Sequence, residues 1–294
     1  MRNRALFFAV AGLFFFSLTM PSPAQEAPKK FSLTLSGGYG TITGGDIPKV
    51  MDGMNAKIRD LAAISDFMVT DTLEIAKWGP EFEAEFLFRP APNFGVSFGT
   101  GYLRKADDTR VAAELEGLAG ISLDWTAAYQ VIPLKLSGYY FFGGSSKMAA
   151  YAKVGIGYYF GRMTYTVRTE ETLLAITVWD QNAGEATANG LGFHGGLGLE
   201  YPLSATFALF IEAAGRYVSL KDWSVENDYS TAWESAHETG KFWYAEELDS
   251  ALGKYYPTLQ MFEARPIDPD LRNVREAAFG FSGFALKAGV KISF

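Results

Sequence analysis

Apolar and polar residues alternate along much of this chain, and its last stretch, GFALKAGVKISF (283–294), shows the rule. Phe284, Leu286, Ala288, Val290, Ile292 and Phe294 are apolar, and Ala285, Lys287, Gly289, Lys291 and Ser293 lie between them. A period of two is a strand with one apolar and one polar face. Eight such segments are read, over about 31–40, 81–89, 94–103, 121–142, 148–167, 191–201, 206–218 and 279–294. The fourth is overlong, and Pro133 within it cannot donate to a ladder, so a bulge or a strand end is expected there.

The connections alternate in length. PAPN (90–93), GGSSK (143–147) and PLSA (202–205) are tight turns rich in Pro, Gly, Ser and Asn. The segments over about 41–80, 104–120, 168–190 and 219–278 are long. An even number of strands, short turns on one side and long loops on the other is the pattern of an outer-membrane barrel. Each segment reaches the roughly 9 to 11 residues that a tilted strand needs to cross a bilayer. The expected fold is therefore all-β: an eight-stranded antiparallel up-and-down transmembrane β-barrel with helical insertions in long extracellular loops.

Alternation alone does not say which face looks outward, since a soluble barrel with an apolar interior alternates too. The polar faces carry Glu83, Glu85, Lys153, His194, Glu200, Glu212, Arg216, Lys287 and Lys291. The apolar faces carry Tyr39, Phe82, Phe94, Tyr102, Tyr201, Phe207, Tyr217 and Phe294 near strand ends, as aromatic girdles at two lipid–water boundaries would. The apolar faces are thus expected outside and the charges in the lumen. Glycines such as Gly95, Gly99, Gly155, Gly157, Gly196 and Gly289 fall at inner positions, which suits a narrow barrel filled by long charged side chains.

The first residues set the compartment. Arg2 and Arg4 precede an apolar stretch over 5–16, and Ser22 and Ala24 make a small-residue cleavage site. This reads as a secretory signal peptide over 1–24, cleaved before Gln25, with the barrel domain over 25–294. The chain has no cysteine, so no disulfides are expected. After the leader no apolar run reaches the length of a membrane helix.

Closing the barrel pairs the last strand with the first and leaves no frayed edge. Val290, Ile292 and Phe294 then face lipid at the periplasmic rim. The ending resembles the C-terminal signature of bacterial outer-membrane proteins, a final Phe preceded by alternate apolar residues. Together with VIPLKLSGYYFF and AAYAKVGIGYYFGRM it is similar to the small outer-membrane β-barrel superfamily (outer membrane protein beta-barrel domain) that includes the OmpW, OmpX and OmpA-barrel types. The resemblance covers roughly residues 30–294. It implies location in the cell outer membrane, contact with outer-membrane lipid and lipopolysaccharide, and recognition of Val290, Ile292 and Phe294 by the barrel-assembly machinery. It is specific for architecture and names no ligand.

Candidate chemistry is sparse. His194 sits on the polar face of a strand, and His237 lies in the last loop within ESAHE, read as a solvated residue on a loop helix. No spacing of His, Asp and Glu reads as a zinc site, and no phosphate loop or nucleic-acid patch is present. No catalytic residue, metal or cofactor is assigned. The lumen charges either pair and plug the barrel or line a narrow polar pore. Loop one holds Ile47, Val50, Met51, Met54, Ile58 and Leu61 at helical spacing, and 231–256 and 268–281 are two further helical candidates. Removing the two leader arginines takes the net charge from −7 to −9, and 219–278 alone carries twelve acids against six bases. That acidic rim either binds divalent cations bridging to lipopolysaccharide phosphates or keeps the loops soluble. The reading is a structural or interaction protein of the outer membrane, with a narrow channel for small or apolar solutes as the alternative and a lipid-active enzyme as a distant one.

Overall fold

The computed structural model describes residues 29–65, 67–75, 77–115, 119–142, 148–174 and 176–294. The expected leader and the turn over 143–147 lie outside them. In chain order the elements are β1 (Phe31–Thr41), α1 (Ile47–Ser65), β2 (Met68–Val69), β3 (Trp78–Ala91), β4 (Phe94–Leu115), β5 (Ala119–Phe142), β6 (Ala149–Leu173), β7 (Ile176–Pro202), β8 (Phe207–Leu220), β9 (Ser224–Thr231), β10 (Ser235–Asp249), β11 (Lys254–Phe262), β12 (Leu271–Glu276), β13 (Phe279–Gly280) and β14 (Gly283–Ser293).

Eight strands close a ring in the order β1-β3-β4-β5-β6-β7-β8-β14, each antiparallel to its neighbours, and β14 returns to β1. Strand β5 shows why the ring belongs in lipid. Lys135 and Ser137 point inward and are 5% and 1% exposed, while Ile132, Leu134 and Leu136 point outward at 48%, 42% and 51%. A soluble barrel would reverse this, because burial of apolar area drives its folding. With a hydrocarbon solvent outside, the cost of exposing leucine vanishes and the polar groups turn to the lumen.

Four strands overshoot the membrane. Strands β4, β5, β6 and β7 have 22, 24, 25 and 27 residues, while β1 and β14 have 11 each. The regions expected as loops over 104–120 and 168–190 are therefore mostly strand, continuing the ladders into the extracellular space. There β7 changes partner: residues 192–202 pair with β8 and residues 180–187 with β9. Strand β9 pairs with β10, which pairs with β11 and β12. The two helical candidates in the last loop are corrected by this result. The stretch over 231–256 forms β10 with its flanking turns and the start of β11, and that over 268–281 forms β12 and β13, because their aromatic side chains pack on a sheet surface rather than along a helix stripe.

Loop one does hold a helix. Helix α1 opens with Ile47 and Pro48, the latter in the first turn where its missing N–H costs nothing. It packs against β4 and β11. Ile47, Val50, Met51, Ile58 and Ala62 are buried in a core shared with Trp125, Met163, Leu220, Trp223, Phe279 and Phe281. Asn55 clamps the segment after the helix, donating to the Leu73 carbonyl (2.9 Å) and accepting from its amide (2.8 Å). Lys254 and Tyr256 both reach Asp60 (2.9 and 2.6 Å), and Lys57 reaches Asp249 (3.0 Å).

Two local expectations also change. Strand β5 runs unbroken through Pro133; its pairing to β4 skips Ile132 and Pro133 opposite Tyr102 and Gly101 and resumes in the same register. Thr100 Oγ1 donates to the Pro133 carbonyl at 2.9 Å, tying the strands across that gap. The final segment divides into β13, which pairs with β8, and β14, with Phe281 and Ser282 between them.

Candidate functional site: a charged lumen beneath an apolar cap

Strand β3 carries Glu81, Glu83 and Glu85 at alternate inward positions, and strands from around the ring bring cations to them. Glu83 accepts from Lys135 (2.6 Å) and Lys153 (2.9 Å) and from Lys287. Lys153 also reaches Glu85 (3.3 Å) and Glu212 (3.0 Å). Arg216 donates to Glu81 at 2.6 Å. The Tyr139 hydroxyl donates to Glu85, and that of Tyr151 to Glu212 at 2.9 Å. Burying a charge is costly unless partners and hydrogen bonds repay its hydration, and here opposite charges saturate one another.

Of the residues expected in the lumen, Glu83, Glu85, Lys153, Glu212, Arg216 and Lys287 thus form one network. Glu200 and Lys291 form a separate pair (2.8 Å) nearer the periplasmic end. His194 lies beside the network, with Nε2 on Ser137 Oγ at 2.8 Å and no carboxylate partner among the described residues. Glu81 and Lys135 complete the network and fall outside the sequence-based site. Lys135 is legible only through its phase: it alternates with Leu134 and Leu136 once β5 is known to pass straight through Pro133. The barrel is tight enough that a Cβ at Gly155 would fall 2.7 Å from His194 Nε2.

The filling is layered. Leu87, Tyr139, Phe141 and Tyr151 cluster toward the periplasmic turns. The charges come next, and the apolar core around α1 follows on the extracellular side. Two cavities lined by network residues measure about 20 and 10 Å³. That is room for one water each at most.

At the other expected site, Phe294 is 60% and Val290 39% exposed, and Ile292 is half-buried. Phe294 lies 6.2 Å from Phe86, which stacks on Phe31 (5.8 Å). The Phe294 amide donates to the Phe31 carbonyl at 2.9 Å, so the chain end is stitched to its beginning.

Outside the membrane, His237 is on β10 rather than on a helix. It pairs with Asp228 across the β9–β10 hairpin, Nδ1 to Oδ1 at 2.8 Å, and this hydrogen bond raises its pKa above the usual 6.5. Among the described residues no three His, Cys, Asp or Glu side chains come together as a metal site.

The family model described as outer membrane protein beta-barrel domain matches residues 8–236. No curated protein matches the chain. Among solved structures, the chain is similar to a major outer membrane protein of Thermus thermophilus, at 16% identity and a TM-score of 0.41, covering 90% of this chain and 99% of that one. It is similar to OprG of Pseudomonas aeruginosa at 13% identity and a TM-score of 0.39, covering 92% and 99%. Neisserial surface protein A follows at 11% identity and a TM-score of 0.36, covering 92% and 100%. With most of its length under the family model, and a closed ring of strands whose leucines face outward and whose charges face inward, the chain belongs to the outer membrane protein beta-barrel family and resides in the bacterial outer membrane.

Proposed function

We propose that this protein is a closed barrel acting through its extracellular half, as a structural and interaction protein of the outer membrane rather than a conduit or a catalyst. The observation that carries the reading is the filling of the lumen: Glu83 held by Lys135, Lys153 and Lys287, with cavities of about 20 and 10 Å³ beside it. A hydrated ion needs a continuous path several ångströms wide, and charges paired this closely, beside spaces of about 20 and 10 Å³, support a closed lumen. The strands that overshoot the membrane, and the sheet built on them around α1, support a role on the extracellular side. The reading includes cleavage of residues 1–24, assembly through the ending Val290, Ile292 and Phe294, and contact with lipopolysaccharide.

Single-channel conductance of the refolded protein in a planar bilayer tests it, with wild type beside Glu83→Gln and Lys287→Met. Silence from folded wild-type barrel is the expected result. Discrete steps whose size or ion selectivity changed with these variants would overturn the reading and make the protein a narrow channel. N-terminal sequencing of the mature chain is expected to begin at Gln25.

A further inference from the structure

On the short side of the barrel, a groove of about 660 Å³ opens outward just beyond the membrane boundary, lined by Ser219, Lys221, Lys49, Arg265, Arg275 and Trp243 among others. Its height follows from β8. Tyr217 faces lipid at 70% exposure, and Ser219 is exposed on the same face two residues farther out. Beside it β14 presents Phe284, 76% exposed, opposite Gly215. The groove therefore begins where the aromatic boundary ends, at the depth of lipid headgroups.

Its charge is opposite to that of its surroundings. The segment 219–278 has twelve acids and six bases, and three of those bases, Lys221, Arg265 and Arg275, line this groove, joined by Lys49 from α1. Two carboxylates, Asp46 and Glu276, offset part of this charge. Asp46 holds Arg275 (2.5 and 2.6 Å) and Lys49 (3.0 Å), and Arg275 also lies over the Tyr244 ring at 4.2 Å. Arg265 is held by the Val274 carbonyl at 3.0 Å. Neither Arg265 nor Lys221 makes an ion pair among the described residues. Gly45 supplies the close wall contact: its φ is +66°, and a Cβ there would fall 2.2 Å from the Ala278 carbonyl oxygen. The result is a pre-positioned cationic groove, of a volume that suits a sugar phosphate, opening at the lipid surface.

We propose that this groove binds the phosphorylated sugar headgroup of an outer-leaflet glycolipid. The proposal deepens the interaction reading above and rests on its extracellular surface, not on its closed lumen. A barrel that conducted ions yet bound glycolipid would overturn the first and leave the second standing.

The test uses the full folded chain in detergent, titrated with a bisphosphorylated glycolipid and with the same lipid after phosphatase treatment, binding being read by native mass spectrometry. Wild type is expected to prefer the phosphorylated lipid. Lys221→Ser with Arg265→Ser should weaken that binding about tenfold or more, the scale of losing charge-assisted hydrogen bonds. Arg110→Ser, which removes an exposed cation elsewhere on β4, should leave it unchanged. Both groove side chains are exposed, so heat-modifiable gel mobility should confirm folding; Lys221→Ser alone serves if the pair does not fold, with a loss of about threefold. Equal affinity for the treated lipid, or undiminished binding by the groove variants, would overturn the proposal. Complete displacement by millimolar inorganic phosphate would also overturn it, by making the site one for a small soluble anion.

Discussion

Arg216 on β8 donates to Glu81 on β3 at 2.6 Å, although β14 and β1 stand between the two strands in the ring. Its remaining nitrogens donate to the carbonyls of Phe281 and Thr41, both at 2.7 Å. One guanidinium thus joins a lumen carboxylate to the backbone just where β1 and β14 leave the membrane. The fork geometry makes this a task that lysine cannot repeat.

Arg216→Met should destabilise the barrel by about 2 to 3 kcal/mol, because buried Glu81 loses its hydrogen-bonded guanidinium and keeps only Lys287, at 3.4 Å. Adding Glu81→Gln to it should recover much of that loss. Urea unfolding of the single and double variants measures both, and a double variant no better than Arg216→Met would mean that the two side chains act independently.

Asp46 gives the extracellular half an acid sensitivity. Burial pushes its carboxyl up, but hydrogen bonds from Arg275, the Ala278 amide and Lys49 outweigh this and bring its pKa from 3.8 to about 2. A depressed folded pKa means stability present above 3.8 and lost as pH falls toward about 2. Protease protection of loop one should fall across that window in wild type. In Asp46→Asn it should already be reduced at neutral pH, by about 1 to 3 kcal/mol, and should lack this component of the acid dependence.

Met51, 1% exposed on α1, belongs to the core above the charged layer. Met51→Ala should cost about 2 to 5 kcal/mol of cap stability. Because the strand ladders and the charged layer below that core are untouched by the change, α1 should become accessible to protease while the ring keeps its heat-modifiable gel shift. Simultaneous loss of both would show that cap and ring fold as one unit.

Phe294→Asp should sharply reduce the folded fraction in cells. The same variant refolded from urea into detergent should lose only about 1 kcal/mol, since the residue lies at the membrane edge where a charge is tolerated. Equal yields in cells would remove the assembly role given to this ending.

The residues of the membrane-embedded part determine its structure by themselves. Where one face meets hydrocarbon and the other a polar lumen, every position is constrained, and the alternation of Leu134, Lys135, Leu136 and Ser137 records it. The strand count of the ring, the outward apolar face and the inward placement of Glu83, Lys153 and Lys287 were legible in this way, and the helix of loop one was legible from its own helical stripe. Only the tertiary structure decided the rest of the extracellular half. Within the extensions, 104–110 and 180–185 carry polar or small residues on both faces, so no apolar period marks them and their strand character comes from pairing with neighbours, while Trp125, Met163 and Ala186 turn into the apolar core. Phe242, Trp243, Tyr244 and Ala245 on β10 are all buried in succession, because β10 is enclosed on both faces. For the same reason the partners of Glu83, and the gathering of Lys49, Lys221, Arg265 and Arg275 from distant segments onto one groove, follow from ring closure and not from any spacing along the chain.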